Sequence, residues 1–157
     1  MSFKLSKRSL NKLEGVHPDL EKVVKRAIEL TTIDFGVTQG TRTLAEQKQN
    51  VATGRSQTMK SKHLPQSDGY SHAVDVVAYV GKNISWEMPL YCAIAEAFRA
   101  AADELNVQLR WGAAWHVDDI REFDGSMEDA MLDYIDLRRS QGRKPFMDGP
   151  HFELQGY

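Results

Sequence analysis

The fold class this sequence predicts is α+β, with helices packed on a small antiparallel sheet. Apolar residues recur with helical spacing over 18–31 and 89–105. Short β-prone runs lie at 35–38, 73–80, 107–111 and 151–154. The two kinds of segment do not alternate as regular βαβ units, which disfavours a parallel sheet. At 157 residues, one domain (1–157) is large enough to bury a core without staples. The single cysteine, Cys92, forms no internal disulfide and supplies no thiolate-rich metal site.

Taken in order, Pro18 stands where a first helical turn begins, and Leu20, Val23, Val24, Ala27 and Ile28 follow on one face. Phe35–Thr38 reads as a short strand leading into QGTRT. Leu44–Ala52 then reads as a helix closed by Gly54, which puts Arg42 at a strand-to-helix junction. Residues 55–72, rich in Ser, Gly, Gln and Pro, are expected to form an exposed loop. The apolar, β-branched run Ala73–Val80 is expected to be a buried strand with Asp75 near its start. Pro89 opens a helix whose stripe is Leu90, Ile94, Ala97, Phe98, Ala101 and Leu105, and the alternation of Val107, Leu109 and Trp111 marks another strand. Residues 116–139 carry eight acidic and three basic side chains, and Ser126 with Asp129 resembles a capping box for a helix running to about Arg139. This acidic insertion, about 116–145, is expected to be a solvated excursion that the core can lose. A short strand, His151–Leu154, ends the chain.

A net charge of −2 excludes a protein devoted to electrostatic binding of nucleic acid. The first thirty residues are locally basic, but no continuous apolar stretch follows Met1. Neither a signal peptide nor a stable membrane insertion is expected. The chain is expected to fold in a cytoplasm as a monomer. If its substrate lies beyond the inner membrane, something else must release it.

The most informative residues are His63, Asp75 and His151. Two imidazoles and a carboxylate suit zinc and leave a fourth position open for water, which separates a catalytic zinc site from a structural one. Asp75 within an apolar run needs a partner, and a metal would be one. Asp148, three residues before His151, stands where a short turn could make it the general base, with Glu153 as the rival base or as a group orienting His151. His72 competes with His63 as a ligand, but its spacing from Asp75 puts the two on opposite faces of a strand. Trp111 reads as core, whereas Trp115 is open between core and substrate platform. HVDDIREFDGSMED fails the EF-hand pattern, since Ile120 falls where the first ligand would stand.

Ser61-Lys62-His63, Ala73-Val74-Asp75 and Asp148-Gly149-Pro150-His151 resemble the motifs of peptidoglycan peptidases of the D-Ala-D-Ala carboxypeptidase and VanY type. They are most similar to those of phage L-alanyl-D-glutamate endolysins, whose zinc fold is shared with the hedgehog domain. The resemblance implies Zn2+ held by His63, Asp75 and His151, and Asp148 as base. It also implies that Arg42, in the QGTRT turn, holds a substrate carboxylate or the developing oxyanion. The implied substrate is the peptidoglycan stem peptide, cut between L-Ala and D-Glu during host lysis. A D-Ala-D-Ala carboxypeptidase or dipeptidase, and a non-catalytic zinc module, are the competing readings. Two departures from the family pattern stand out: LPQSDGYSH lengthens the stretch between His63 and Asp75, and Ala114 replaces the Asp of a WGxDW segment.

Overall fold

The computed structural model describes residues 2–55 and 60–157. In chain order the elements are α1 (Lys7–Lys12), α2 (Pro18–Leu30), β1 (Asp34–Gln39), α3 (Leu44–Ala52), β2 (Ala73–Val80), β3 (Asn83–Ser85), α4 (Met88–Leu105), β4 (Leu109–Trp111), a 3-10 turn (Ile120–Glu122), α5 (Met127–Ser140) and β5 (His151–Leu154). The sheet runs β1-β2-β5-β4, with every pair antiparallel, and β3 pairs with the far end of β2. This is the α+β architecture the sequence predicts.

Register decides which side chains share a face. Val74 stands opposite Phe152, and Phe152 opposite Trp111; one step along, Asp75 stands opposite His151, and Glu153 opposite both Ala73 and Arg110. Because side chains alternate along a strand, Val74, Phe152 and Trp111 point to one face and Asp75, His151 and Glu153 to the other. The first face is core: Phe152 stacks on Phe98 of α4 with ring centroids 3.9 Å apart, and α2 packs against the same helix. The second face is left to carry polar chemistry.

Local signals explain most helix ends. Pro18 lies in the first turn of α2, and the His17 ring accepts a hydrogen bond from the Asp19 amide. Thr43 and Glu46 form a capping box on α3, as Ser126 and Asp129 do on α5. α4 closes on Asn106 in the left-handed conformation.

Three short elements had no expectation. α1 is too brief to show a period, but it packs on β1, where the Ser9 hydroxyl accepts from the Val37 amide at 2.9 Å. β3 forms a three-residue hairpin arm across Gly81, and the 3-10 turn rests on the Asp119 carboxylate, which accepts from the Arg121 amide. Among the described residues, no helix is long and apolar enough to cross a membrane.

Two expectations need correction. The segment expected as an exposed loop buries His63, Ser71 and His72, because backbone hydrogen bonds fold it back onto the sheet; its residues 56–59 lie outside those described. The acidic excursion is solvated on one side only. Its carboxylates mostly face water, while Ile120, Met127 and Ala130 join the hydrophobic core against α4.

Candidate metal centre

Asp75, the third residue of β2, and His151, the first of β5, are cross-strand neighbours, so the sheet register alone brings their side chains together. His63 comes from the loop and needs separate support. The Arg42 amide donates to the His63 carbonyl at 2.8 Å, and the His63 ring Nδ1 lies 2.9 Å from the Gly40 carbonyl. Gly40 has to be glycine, since a Cβ there would collide with the Lys12 carbonyl. The extra LPQSDGYSH residues loop outward. The His72 amide donates to the Lys62 carbonyl at 2.8 Å and the Gln66 amide to the Tyr70 carbonyl at 2.8 Å, closing the excursion at its base and leaving His63 in place.

The donor atoms of His63, Asp75 and His151 lie within 4.8 Å of one another. His63 Nε2 is 3.3 Å from Asp75 Oδ2, and His151 Nδ1 is 3.0 Å from Asp75 Oδ1. The outer nitrogens are already committed: His63 Nδ1 to Gly40, and His151 Nε2 to Glu153 Oε1 at 2.9 Å. Both partners are acceptors, so both outer nitrogens carry the proton. The inner nitrogens of neutral rings are then lone pairs, aimed at a carboxylate that is itself only an acceptor. That arrangement repels unless positive charge sits among the three groups, and either a second proton on an imidazole or a divalent cation supplies it. The donor set fits zinc: two imidazoles, one carboxylate, and fixed outer hydrogen bonds of the kind that orient metal-binding histidines.

The electrostatics show the same demand for positive charge, met within the protein by the His151 imidazolium. Burial pulls the His151 imidazole down, but hydrogen bonds to Asp75 and Glu153 outweigh it and push the ring up to about 10. Burial pushes Asp75 up, but hydrogen bonds from His151 and His63 overcome it and hold the carboxyl well below the usual range. Burial likewise raises Glu153, but the hydrogen bond it accepts from His151 wins and lowers it, helped by the charges of His151, of Lys62, whose Nζ is 3.4 Å away, and of Arg110.

Asp148 sits in the turn before β5. Its amide donates to the Gly112 carbonyl and its carbonyl accepts from the His151 amide, at 2.8 and 3.0 Å. A Cβ on Gly112 would strike the Asp148 carbonyl, so this close approach too depends on glycine. Trp111 Nε1 donates to the Gly149 carbonyl at 2.7 Å and fixes the turn further. Burial raises the Asp148 pKa, the Asp75 charge adds to that, and His151, His63 and Arg42 oppose it. Asp148 is therefore more basic than a free aspartate and lies within the field of all three. Arg42 donates through Nη1 to Gln47 at 2.6 Å, while its buried Nε has no hydrogen-bond partner among the described residues.

These side chains line a cleft of about 840 Å³, whose other walls bring in Trp115, Phe146, Arg55 and Lys62. Trp115 thus stands in the site, its ring 5.3 Å from that of His151, while Trp111 is core. His72 is not in the cluster. Its Nε2 lies 2.8 Å from Asp68 Oδ2, and its ring packs against His17 and Tyr157. Phe146 and Arg55 carried no signal in the sequence, being isolated residues in irregular segments with no periodicity to place them.

A family model for phage L-alanyl-D-glutamate peptidases matches residues 1–155. The chain belongs to that family. An L-alanyl-D-glutamate peptidase of Escherichia phage T5 is 40% identical over 120 residues, which cover 74% of this chain and 84% of the phage protein. The crystal structure of the Serratia marcescens L-Ala D-Glu endopeptidase ChiX superposes with a TM-score of 0.70 at 33% identity, covering 98% of this chain and 91% of that one. The family is that of a peptidase, in agreement with the resemblance carried by the Ser-x-His, Ala-x-Asp and Asp-x-x-His segments.

Proposed function

We propose that this chain is a zinc peptidase that hydrolyses the L-Ala–D-Glu bond of peptidoglycan stem peptides and so contributes to lysis of a phage host. The observation that carries the reading is the cluster of two imidazole nitrogens and the Asp75 carboxylate, all within 4.8 Å of one another, with the carboxylate of Asp148 held in the same cleft.

His63 Nε2, Asp75 and His151 Nδ1 would hold the metal. Zinc, when bound, supplies Lewis acidity for water and for the scissile carbonyl at its open position. The remaining work falls to the chain's own groups. The Asp148 carboxylate accepts the proton from the attacking water as the new C–O bond forms, and hands it to the departing amine nitrogen as the C–N bond breaks. The Arg42 guanidinium shares the negative charge that builds on the carbonyl oxygen. Glu153 keeps the His151 proton on Nε2, so the ring presents Nδ1 to the site.

Mass spectrometry of digested, purified peptidoglycan tests this directly. New fragments with N-terminal D-Glu, abolished by a chelator and restored by Zn2+, are expected. Release of free D-Ala instead would transfer the chain to the carboxypeptidase reading, and no cleavage with a full complement of zinc would leave a binding module.

A further inference from the structure

The cleft is built differently on its two sides. One wall is aromatic. Trp115 and Phe146 lie with ring centroids 6.2 Å apart and a 30° tilt, and Phe146 stays 53% exposed. An exposed phenylalanine in an irregular segment ordinarily folds inward or moves freely, but this one is tethered. The Tyr134 hydroxyl donates to the Phe146 carbonyl at 3.2 Å and accepts from the Phe146 amide at 3.3 Å. Trp115 is held from behind: its carbonyl accepts from Arg110 Nε at 2.8 Å and also from Arg110 Nη2, and the guanidinium carbon lies 5.2 Å from the indole centroid. Two anchored, partly open rings, Trp115 next to His151 and Phe146 next to Trp115, make an aromatic wall of the cleft.

The other wall, from the end of β1 through α3 to Lys62, is cationic and contributes Arg42, Arg55, Lys60 and Lys62 to the cleft, Lys60 being already engaged elsewhere. Lys62 is spent on Glu153 and the Leu154 carbonyl. Arg55 is exposed and makes no ion pair among the described residues. The carboxylates that line the cleft, Asp75, Asp148 and Glu153, belong to the metal centre on the sheet side.

A stem peptide is asymmetric in the same sense. On the acyl side of the proposed scissile bond, the alanine nitrogen is joined to the lactyl group of a muramic acid sugar. On the amine side, the D-Glu residue bears a free α-carboxylate next to the bond. Sugar rings present C–H faces that pack on aromatic planes, and a carboxylate is the natural partner of a guanidinium fork. We propose that the Trp115–Phe146 wall receives the muramyl sugar and that Arg55 reads the D-Glu α-carboxylate, which fixes the direction in which the substrate lies. This rests on the peptidase reading above and adds an orientation and two specificity residues to it.

The test compares kcat/KM for three soluble substrates with the zinc-loaded full chain: an L-Ala–D-Glu tripeptide, the same peptide carrying N-acetylmuramic acid, and the muramyl peptide with D-Glu amidated to D-isoglutamine. Wild type should prefer the muramyl over the sugar-free peptide, and the free acid over the amide, each by about tenfold, the size expected of one good aromatic contact or one charge-assisted hydrogen bond. Phe146→Ala should collapse the first ratio towards one and spare the second; Arg55→Gln should do the reverse. Zinc content and thermal midpoint are read for every variant, with Phe146→Leu as a second ring-removing change. A wild-type sugar ratio near one, or a Phe146→Ala loss shared equally by muramyl and sugar-free peptides, overturns the aromatic subsite. An acid-to-amide ratio unchanged in Arg55→Gln overturns the carboxylate reader. Failure to cleave any of the three would instead strike the peptidase reading itself.

Discussion

His63 and His72 lie nine residues apart and either fits a polar loop, so the ligand question between them turns on single atoms. His63 has its Nδ1 on a backbone carbonyl and its Nε2 facing Asp75; His72 spends its Nε2 on Asp68, away from the cluster. His63→Ala should therefore strip the metal, and His72→Ala should keep about one zinc per chain by elemental analysis after dialysis. Zinc lost from His72→Ala and kept by His63→Ala would reverse the assignment. Asp148→Asn keeps size and the backbone contacts of the turn but removes the proton acceptor. Metal content should stay near wild type while turnover of peptidoglycan falls by roughly 10²–10⁴-fold, the contribution typical of a placed general base. A base works only when ionised, so wild-type kcat/KM should climb as pH rises through the Asp148 pKa. The Asn variant should lose the limb, and if it keeps the limb and the rate, Glu153→Gln is the next variant to measure. The three residues that cluster, His63, Asp75 and His151, were legible in the sequence because each sits in a short motif. The orienting bonds from Gly40 and Glu153 were only partly so, since a backbone carbonyl has no signature.

At the scale of elements, long amphipathic segments and capped ends were readable, because periodicity and caps are local properties. α2, α4 and the Ser126–Asp129 capping box of α5 all stand where the pattern placed them. What charge composition could not show is which side of an acidic helix is apolar enough to be buried. Met127 and Ala130 of α5 and Ile120 before it are fully covered, and the Arg99 guanidinium of α4 donates to the Gly125 and Phe123 carbonyls to hold this segment down. Replacing 117–143 with a short Gly/Ser linker should thus expose part of the α4 surface and yield a protein of lowered stability, against the simpler view of a removable insertion. Met127→Ala isolates the effect. Truncating a buried methionine costs about 2–5 kcal/mol, measurable as a lower urea midpoint at unchanged slope. An unaltered midpoint would return the segment to the surface.

Over the whole molecule, the centre ties together parts that fold by different means. Asp75 and His151 are preset by β2 and β5, whose apolar side chains are locked into the core with Phe98 and Trp111. His63 is not preset in this way; its loop is held by a few backbone bonds and by the contact of its ring with that of His151. Removing the metal should leave the core and the sheet intact and loosen the loop that precedes β2. Apo protein prepared with a strong chelator is expected to keep the far-ultraviolet circular dichroism of the holo form. A ligand present at about 1,000 times its dissociation constant stabilises the folded state by about 4 kcal/mol. At roughly 2–4 °C per kcal/mol for a chain of this size, the thermal midpoint should drop by about 8–16 °C and recover on adding Zn2+. Hydrogen exchange should quicken in the amides of Arg42, His63 and His72, which close that loop, and stay slow in Val74, Val76 and Phe152. Collapse of secondary structure on chelation would mean that the metal, and not the hydrophobic face of the sheet, holds the fold together.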